Sequence, residues 1–278
     1  MRLVYENERG KITMYGGGKR GFNIISISGL SLPESNVNTV RYPNIAGQTV
    51  TNSTPMERYI TISGDVYDDN SKNITNASKV FSMPGIMYIT TYGKTKKIHC
   101  RTVSFDIGNK KGSYIPFTVQ FCADNPYFQD IYETKVYISK REGKLSSPFV
   151  LGCLFSERLI KSNVVNSGDV AIEPVFEISS KKARLCPEGI TIKNTTNGAS
   201  ITLVTDILAD EKITVDVKNR EIKSNLRGNI LFCLKTDTSI SRFSLDPGVS
   251  MVEISAPGSS GELLSVCRYN SNYVSIAV

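Results

Sequence analysis

Tryptophan is absent from this sequence, histidine occurs once, and no two cysteines stand close enough to form a CxxC pair. Each gap removes a class of chemistry. With His99 alone, a multi-histidine metal site is impossible, and a triad with an imidazole base must use that one residue. His99 sits between Ile98 and Cys100 in a stretch that reads as a strand, which is the setting of an ordinary strand histidine. A cysteine nucleophile would need the same base, and Cys100 is too near in sequence to face it across a strand. The six cysteines, at 100, 122, 153, 186, 233 and 267, carry no metal or redox spacing. No apolar run approaches the roughly 18 residues that span a bilayer, so no membrane contact is expected. The opening MRLVYENERG has no apolar segment before its charges, unlike a secretory signal. Reduced thiols in a protein made and assembled in a cytoplasm are therefore expected. Paired carboxylates remain open as a wall-hydrolase reading, since any two acids can meet in space. Nearly every Asp and Glu, however, stands beside Gly, Asn, Ser or Lys in a turn. The expectation is no catalytic, cofactor or metal residue.

A concentrated basic region is also lacking. The formal net charge is +7, but residues 1–130 hold 15 basic against 10 acidic residues and residues 131–278 hold 18 against 16. The basic residues come in small pairs, such as Lys96-Lys97, Lys110-Lys111 and Lys181-Lys182, without a basic helix or a basic-aromatic register. A solvated face is the simplest reading. The loop Gly16-Gly17-Gly18-Lys19-Arg20-Gly21 is no phosphate cradle, because Arg20 stands where Ser or Thr is needed and a strand follows. The acidic cluster Asp68-Asp69-Asn70-Ser71 lacks the distal glutamate of a calcium loop and reads as a turn.

What is present is β-structure. The 278 residues are 40% hydrophobic and 21% charged, an ordinary globular composition long enough for about two domains. Tyr (13) and Phe (11) must supply the aromatic part of the core. In Ile115–Asp130, Ile115, Phe117, Val119 and Phe121 share one face of a half-buried strand, which stops at Asn125-Pro126. Asn125, Pro126, Tyr127 and Phe128 are the expected hinge, with the two rings packing on the domain beyond. Domains of 1–130 and 131–278 follow, with the alternative that the extreme C-terminal strand returns to the first domain. In the first, strands are expected at Leu3–Tyr5, Phe22–Ser28, Glu57–Tyr67, Met87–Tyr92 and Lys97–Ile107, the last with a bulge where its apolar face switches. Ile74, Ala77, Val80 and Phe81 at helical spacing predict a helix over 73–82, stopped by Pro84-Gly85. Residues 36–54 are polar and β-branched around a Pro43–Gly47 turn, and too few are apolar for either face to be buried. They predict a long projecting hairpin. From Val170 onward, short strands at regular spacing predict an antiparallel sandwich. Pro174 places its own strand at an edge or bulge, Asn197-Gly198 marks a hairpin, and further strands are expected at Gly228–Leu234 and at the C-terminus.

Several of these pieces together resemble the phage distal tail protein family of siphophage tails. They are IISISGLSLP (Ile24–Pro33), the hairpin with its Tyr-Pro-Asn-Ile-Ala-Gly tip, RYITISGDVYD (Arg58–Asp68) and the short helix. FTVQFCADNPYFQD (Phe117–Asp130), VVNSGDVAIEPVFEI (Val164–Ile178) and GNILFCL…FSLDPGVSMVEIS (Gly228–Ser255) complete the match over essentially the whole length. Baseplate-hub proteins of contractile tails and tailocins share much of this text. The resemblance implies a mainly β chain with an N-terminal split-barrel domain, one helix and a C-terminal galectin-like sandwich. It implies a hexameric ring around the tail channel, with the Asn36–Thr54 hairpin as an arm clasping a neighbour through Val40, Tyr42, Pro43, Asn44, Ile45 and Gly47. Its implied partners are further copies of itself, the tail tube protein, a tail-tip hub protein and the tape measure protein. DNA would pass through the channel without specific binding. Such a protein belongs to the virion, at the tail tip or baseplate, after assembly in the host cytoplasm, and has no enzymatic activity. The alternative is a carbohydrate-binding receptor-recognition module of a phage tail or tailocin baseplate. Against it, the second domain has no Trp to stack on a sugar.

Overall fold

The computed structural model describes residues 1–18, 21–44, 46–67, 70–143, 156–257 and 263–276. The chain divides into two compact units, one of Met1–Ile131 with Tyr273–Val278 and one of Tyr132–Asn272.

The first unit opens with β1 (Arg2–Asn7), β2 (Gly10–Gly16) and β3 (Phe22–Ser28), then the hairpin strands β4 (Ser35–Val40) and β5 (Thr49–Pro55) and β6 (Arg58–Val66). The helix α1 (Asn70–Phe81) follows, then β7 (Gly85–Thr91), β8 (Lys94–Ile107), β9 (Ile115–Ala123) and β10 (Phe128–Asp130). The order β8-β7-β1-β2-β3-β6-β9 closes into a barrel because β9 also pairs with β8. Every barrel pairing is antiparallel except β2–β3. Closure removes the free edges that would otherwise template foreign strands. Inside, Leu3, Tyr5, Met14, Ile60, Ile62, Val119 and Phe121 are buried in one core, the inward half of the alternation seen in the sequence. Val103 is the extra residue where β8 slips against β9, between Thr102 and Ser104, the expected bulge.

The helix plugs this barrel with the predicted face: Ala77, Val80 and Phe81 are buried and Ile74 is partly so. Phe81 meets Tyr5, Phe105 and Phe121 at 5.6, 5.0 and 5.5 Å between centroids, edge to face. Its C-terminal carbonyls are not left open, since the Asn7 side-chain amide donates to Val80 O (2.7 Å) and Met83 O (3.1 Å). Helix starts at Asn70, three residues before the expected start, so Asn70 and Ser71 are helical rather than part of a turn. Asp68 and Asp69 lie outside the described residues, as do Lys19 and Arg20 of the glycine loop. The strand β2 had no counterpart in the sequence reading, because Ile12 and Met14 give only two inward residues to recognise.

The second unit holds β11 (Thr134–Gly143), β12 (Ser156–Leu159), β13 (Lys161–Asn166), β14 (Val175–Ser180), β15 (Ile190–Asn194) and β16 (Ser200–Leu203). It continues with β17 (Glu211–Asp216), β18 (Glu221–Ser224), β19 (Gly228–Asn229), β20 (Gly248–Ser255) and β21 (Leu264–Tyr269). One sheet has the order β12-β11-β21-β14-β17-β18-β19 and the other β13-β20-β15-β16. Their inner faces share a single core that includes Phe176, Ile178, Ile192, Ile201, Val252 and Ile254, which makes the unit an antiparallel sandwich. The Asn197-Gly198 loop joins β15 to β16, with Gly198 at φ 78°. Two expectations fail here. β14 is interior, between β17 and β21, and Pro174 stands just before it, where a missing N–H costs no ladder bond. Gly228–Leu234 is a strand only at Gly228–Asn229, and Leu231–Cys233 forms a 3-10 turn.

The last strand, β22 (Asn272–Tyr273), lies beside β10 in the barrel sheet. The terminal residues thus belong to the first unit, the alternative held open beside a 131–278 domain. The sandwich is an insertion in the barrel unit.

Candidate assembly interface: the hairpin arm and its root

Among the described residues the β4–β5 hairpin pairs only with itself, from Ser35↔Pro55 to Val40↔Thr49, with a slip between Asn38 and Thr39. Every residue of both strands is exposed, including Val37, Val40 and Val50. The hydroxyl of Thr51 donates to Asn38 O (3.0 Å) at the slip, and Thr39 donates to Gln48 Oε1 (3.2 Å). At the tip, Asn44 (φ 65°) and Gly47 (φ 91°) take left-handed backbone, as residues of those types tolerate. Of the expected clasp positions, Val40, Tyr42, Pro43, Asn44 and Gly47 are all exposed on this arm, and Ile45 lies outside the described residues.

The arm's root is built differently. Met56 N–H donates to Glu34 O at 2.7 Å and closes the hairpin's open end. Two residues further on, Arg58 is 2% exposed. Its Nε donates to Pro126 O (2.6 Å), Nη1 to Gly29 O (2.6 Å) and Ser31 O (2.5 Å), and Nη2 to Val274 O (2.7 Å). The guanidinium carbon lies 4.5 Å from the Phe128 ring centroid, a cation–π contact out of water. Burial lowers the Arg58 pKa to about 10, which leaves it a cation at neutral pH. Gly29, at φ 87°, packs so closely that a Cβ there would run into the Tyr59 carbonyl oxygen.

The expected hinge residues belong to this root. Asn125 Oδ1 accepts from Tyr127 N–H (3.2 Å), the Pro126 carbonyl serves Arg58, and Phe128 is fully buried in the barrel core. The division between units falls after Ile131. Of the two rings expected to pack on the domain beyond, Phe128 instead fills the core of its own unit. The C-terminal residues complete the arrangement. Lys96 Nζ reaches Asp130 Oδ1 (2.5 Å) and lies 3.3 Å from the Tyr273 ring centroid, and the Tyr273 hydroxyl donates to Asp130 Oδ2 (3.2 Å). Burial works to lower the Lys96 pKa, but its contacts with Asp130 and Tyr273 outweigh that and raise it. Ile276 N–H donates to Leu30 O (3.1 Å), and Tyr273 and Ile276 pack on the barrel core.

Arg58 was legible as an anomaly. It shares the parity of Ile60 and Ile62, so the alternation points an arginine inward. Its partners were not legible, since they are four carbonyls from three distant segments.

His99 borders a cleft of about 420 Å³ with Cys100, Arg101, Cys122 and Asp124. Arg101 and Asp124 form an exposed ion pair at 3.0 Å. The Cys100 thiol is buried, and burial, with Cys122 nearby, pushes its pKa up to about 12, the reverse of a reactive thiolate. The described cysteines 100, 122, 233 and 267 are free thiols, and Cys153 lies outside the described residues. Among the described residues no three His, Cys, Asp or Glu side chains come together to hold a metal, and no helix is long and apolar enough to cross a membrane.

No protein family matches the chain by sequence, and no curated protein does. Among solved structures, the chain is similar to the crystal structure of Dit (gp 19.1) of phage SPP1, described as a paradigm of hub adsorption apparatus in phages infecting Gram-positive bacteria. The likeness has a TM-score of 0.66 at 10% identity and covers 89% of this chain and 92% of that one. The fold is that of SPP1 Dit. Two structures of the activated phage P2 baseplate, with calcium and with strontium, match at TM-scores of 0.48 and 0.45 with 11% and 12% identity. Each covers 96% of this chain and 97% of the other.

Proposed function

We propose that this chain is a structural virion protein, a distal tail or baseplate hub component that assembles into a ring at the end of a phage tail tube. The ring joins the tube to the tail tip or host-adhesion apparatus. The observation that carries this reading is the arm. A two-stranded hairpin is at best marginally stable alone in water, and this one projects with every strand residue exposed. Its unpaired edges template strands from another chain. Pairing with a neighbour satisfies them, and a head-to-tail contact of that kind closes into a ring when the rotation allows. The shared fold with SPP1 Dit supports the same assignment. In this reading the clasp residues are Val40, Tyr42, Pro43, Asn44, Ile45 and Gly47, the ring is a hexamer, and the sandwich is galectin-like. Tube, tip-hub and tape measure proteins are its neighbours, and DNA passes through the channel without being gripped.

The mass of the purified protein tests the reading. A ring-sized species is expected from the wild type, and a folded monomer from a variant lacking residues 40–50. A wild type that stays monomeric at every concentration, or a deletion variant that forms the same ring, overturns it.

A further inference from the structure

Arg58 is a buried cation with no carboxylate among its bonded partners. The five N–H groups of a guanidinium lie in a rigid plane and act over a wide angle. Here they are aimed at carbonyls of three chain segments far apart in sequence: 29–31, 126 and 274. The first of these segments leads into the arm at Ser35, and Arg58 itself follows the arm's exit at Pro55. One side chain, at the start of β6, therefore grips the segment that leads into the arm. The remaining walls of its socket are the turn before β10 and the C-terminal strap.

We infer that Arg58 is the positioning residue of the arm, fixing the direction in which the hairpin leaves the barrel, and that the strap Tyr273–Ile276 is the wall that keeps Arg58 in place. The inference rests on the arm being the assembly element. The strap is held twice over, by the Lys96–Asp130–Tyr273 cluster at one end and by the Ile276–Leu30 bond at the other. Leu30 lies between the two carbonyls that Arg58 holds. Strap and arginine thus fasten the same six-residue lead to the arm, residues 29–34. A lysine offers a single compact ammonium and cannot span these acceptors. Loss of the strap leaves Nη2 without its acceptor and opens the socket to water. In either case the arm remains a hairpin, but its root swings, and a clasp that swings does not meet the next copy at a fixed rotation. Because the strap follows the sandwich in the chain, the arm is fixed only once the inserted sandwich has been made and the chain has returned.

The test uses the full chain carrying Arg58→Lys, a second variant ending after Asn272, and Leu3→Ala as a control in the fully buried barrel core. Two quantities are read: the mass of the assembled species and the exchange of the Met56 amide, which depends on Glu34 O at the root. Both root variants are expected to lose Met56 protection and the ring while the amides of β1, β2 and β7 stay protected. Leu3→Ala, even with an equal or larger fall in unfolding midpoint, is expected to keep the ring. Should Arg58→Lys assemble normally, or should ring loss follow the unfolding midpoint in all variants alike, Arg58 is merely structural. If the wild type itself never assembles, the ring reading fails separately. The exchange measurement still decides the local point, since unchanged Met56 protection in Arg58→Lys refutes it.

Discussion

At the scale of single residues, the sandwich contains a buried charge whose partners make it a reporter of acid. Glu211 is fully buried in β17, and its carboxylate accepts from Arg227 Nε (2.7 Å), the Leu208 N–H (2.7 Å) and the Ser224 hydroxyl. Burial alone would raise its pKa, but those three donors together outweigh burial and hold it below the ordinary 4.5. A carboxyl with a depressed folded pKa contributes stability that is present above the unfolded value and is lost as the pH falls through the folded value. The stability difference between the wild type and Glu211→Gln should therefore be constant above about pH 4.5 and shrink below it. Thermal unfolding of both proteins across the acid range measures this, and a gap that widens with acid would refute the assignment. Arg227→Met strands the carboxylate in the core and should cost about 3 kcal/mol near neutral pH. Arg227 is 30% exposed, so water recovers part of the loss and keeps the figure near the lower end. Gly29 gives a second residue-scale expectation. Alanine there meets both an unfavourable φ and the Tyr59 carbonyl, so Gly29→Ala should destabilise the barrel by more than the ~1 kcal/mol of a simple positive-φ glycine. Chemical denaturation with a loss below that figure would show that the root yields easily.

Between single residues and the whole lie the arm, the helix and the strap, three elements that depend on the barrel in different ways. The helix follows from its own sequence pattern, and its apolar face finds the barrel mouth. The arm has no such face. Its strands carry no charged residue, and among the described residues they pair only with each other. Proteolysis should nick the free protein first within residues 41–48 and spare that loop in the assembled species. Equal cleavage of the two forms would mean that the arm is not covered on assembly. The strap has only a two-residue strand and a few polar anchors, yet it closes the edge beside β10.

For the whole molecule, the connectivity decides which pieces can stand alone. The sandwich enters after Ile131 and leaves before Tyr273, and the Tyr273 hydroxyl is 3.2 Å from Asp130. The two junctions are therefore close, as insertion points in a host domain usually are. Replacing residues 132–272 by a short Gly/Ser linker should yield a folded barrel unit that keeps the strap. The simple truncation 1–131 lacks the strap and leaves one Arg58 donor unmatched, so it should be less stable. Circular dichroism with thermal melts of both pieces checks this. Equal midpoints would show that the strap contributes nothing to the barrel unit.

The residues by themselves determined the mainly β class, the sandwich, the helix face, the bulge in β8 and the projecting hairpin. Each of these is written in a local period or in a local shortage of apolar residues, and a period needs no distant partner to be read. Ile60 and Ile62 declare an inward face wherever the strand ends up, and Ser35–Pro55 declares that it has none. What the tertiary structure decided was partnership across the chain. It put Phe128 into the core of its own unit, where the sequence had it packing on the domain beyond, and it chose the barrel for the C-terminal strand, which the sequence had left open between the two units. It also gave the inward arginine at 58 its acceptors, because backbone carbonyls are present at every position and no sequence marks which four will converge on one guanidinium.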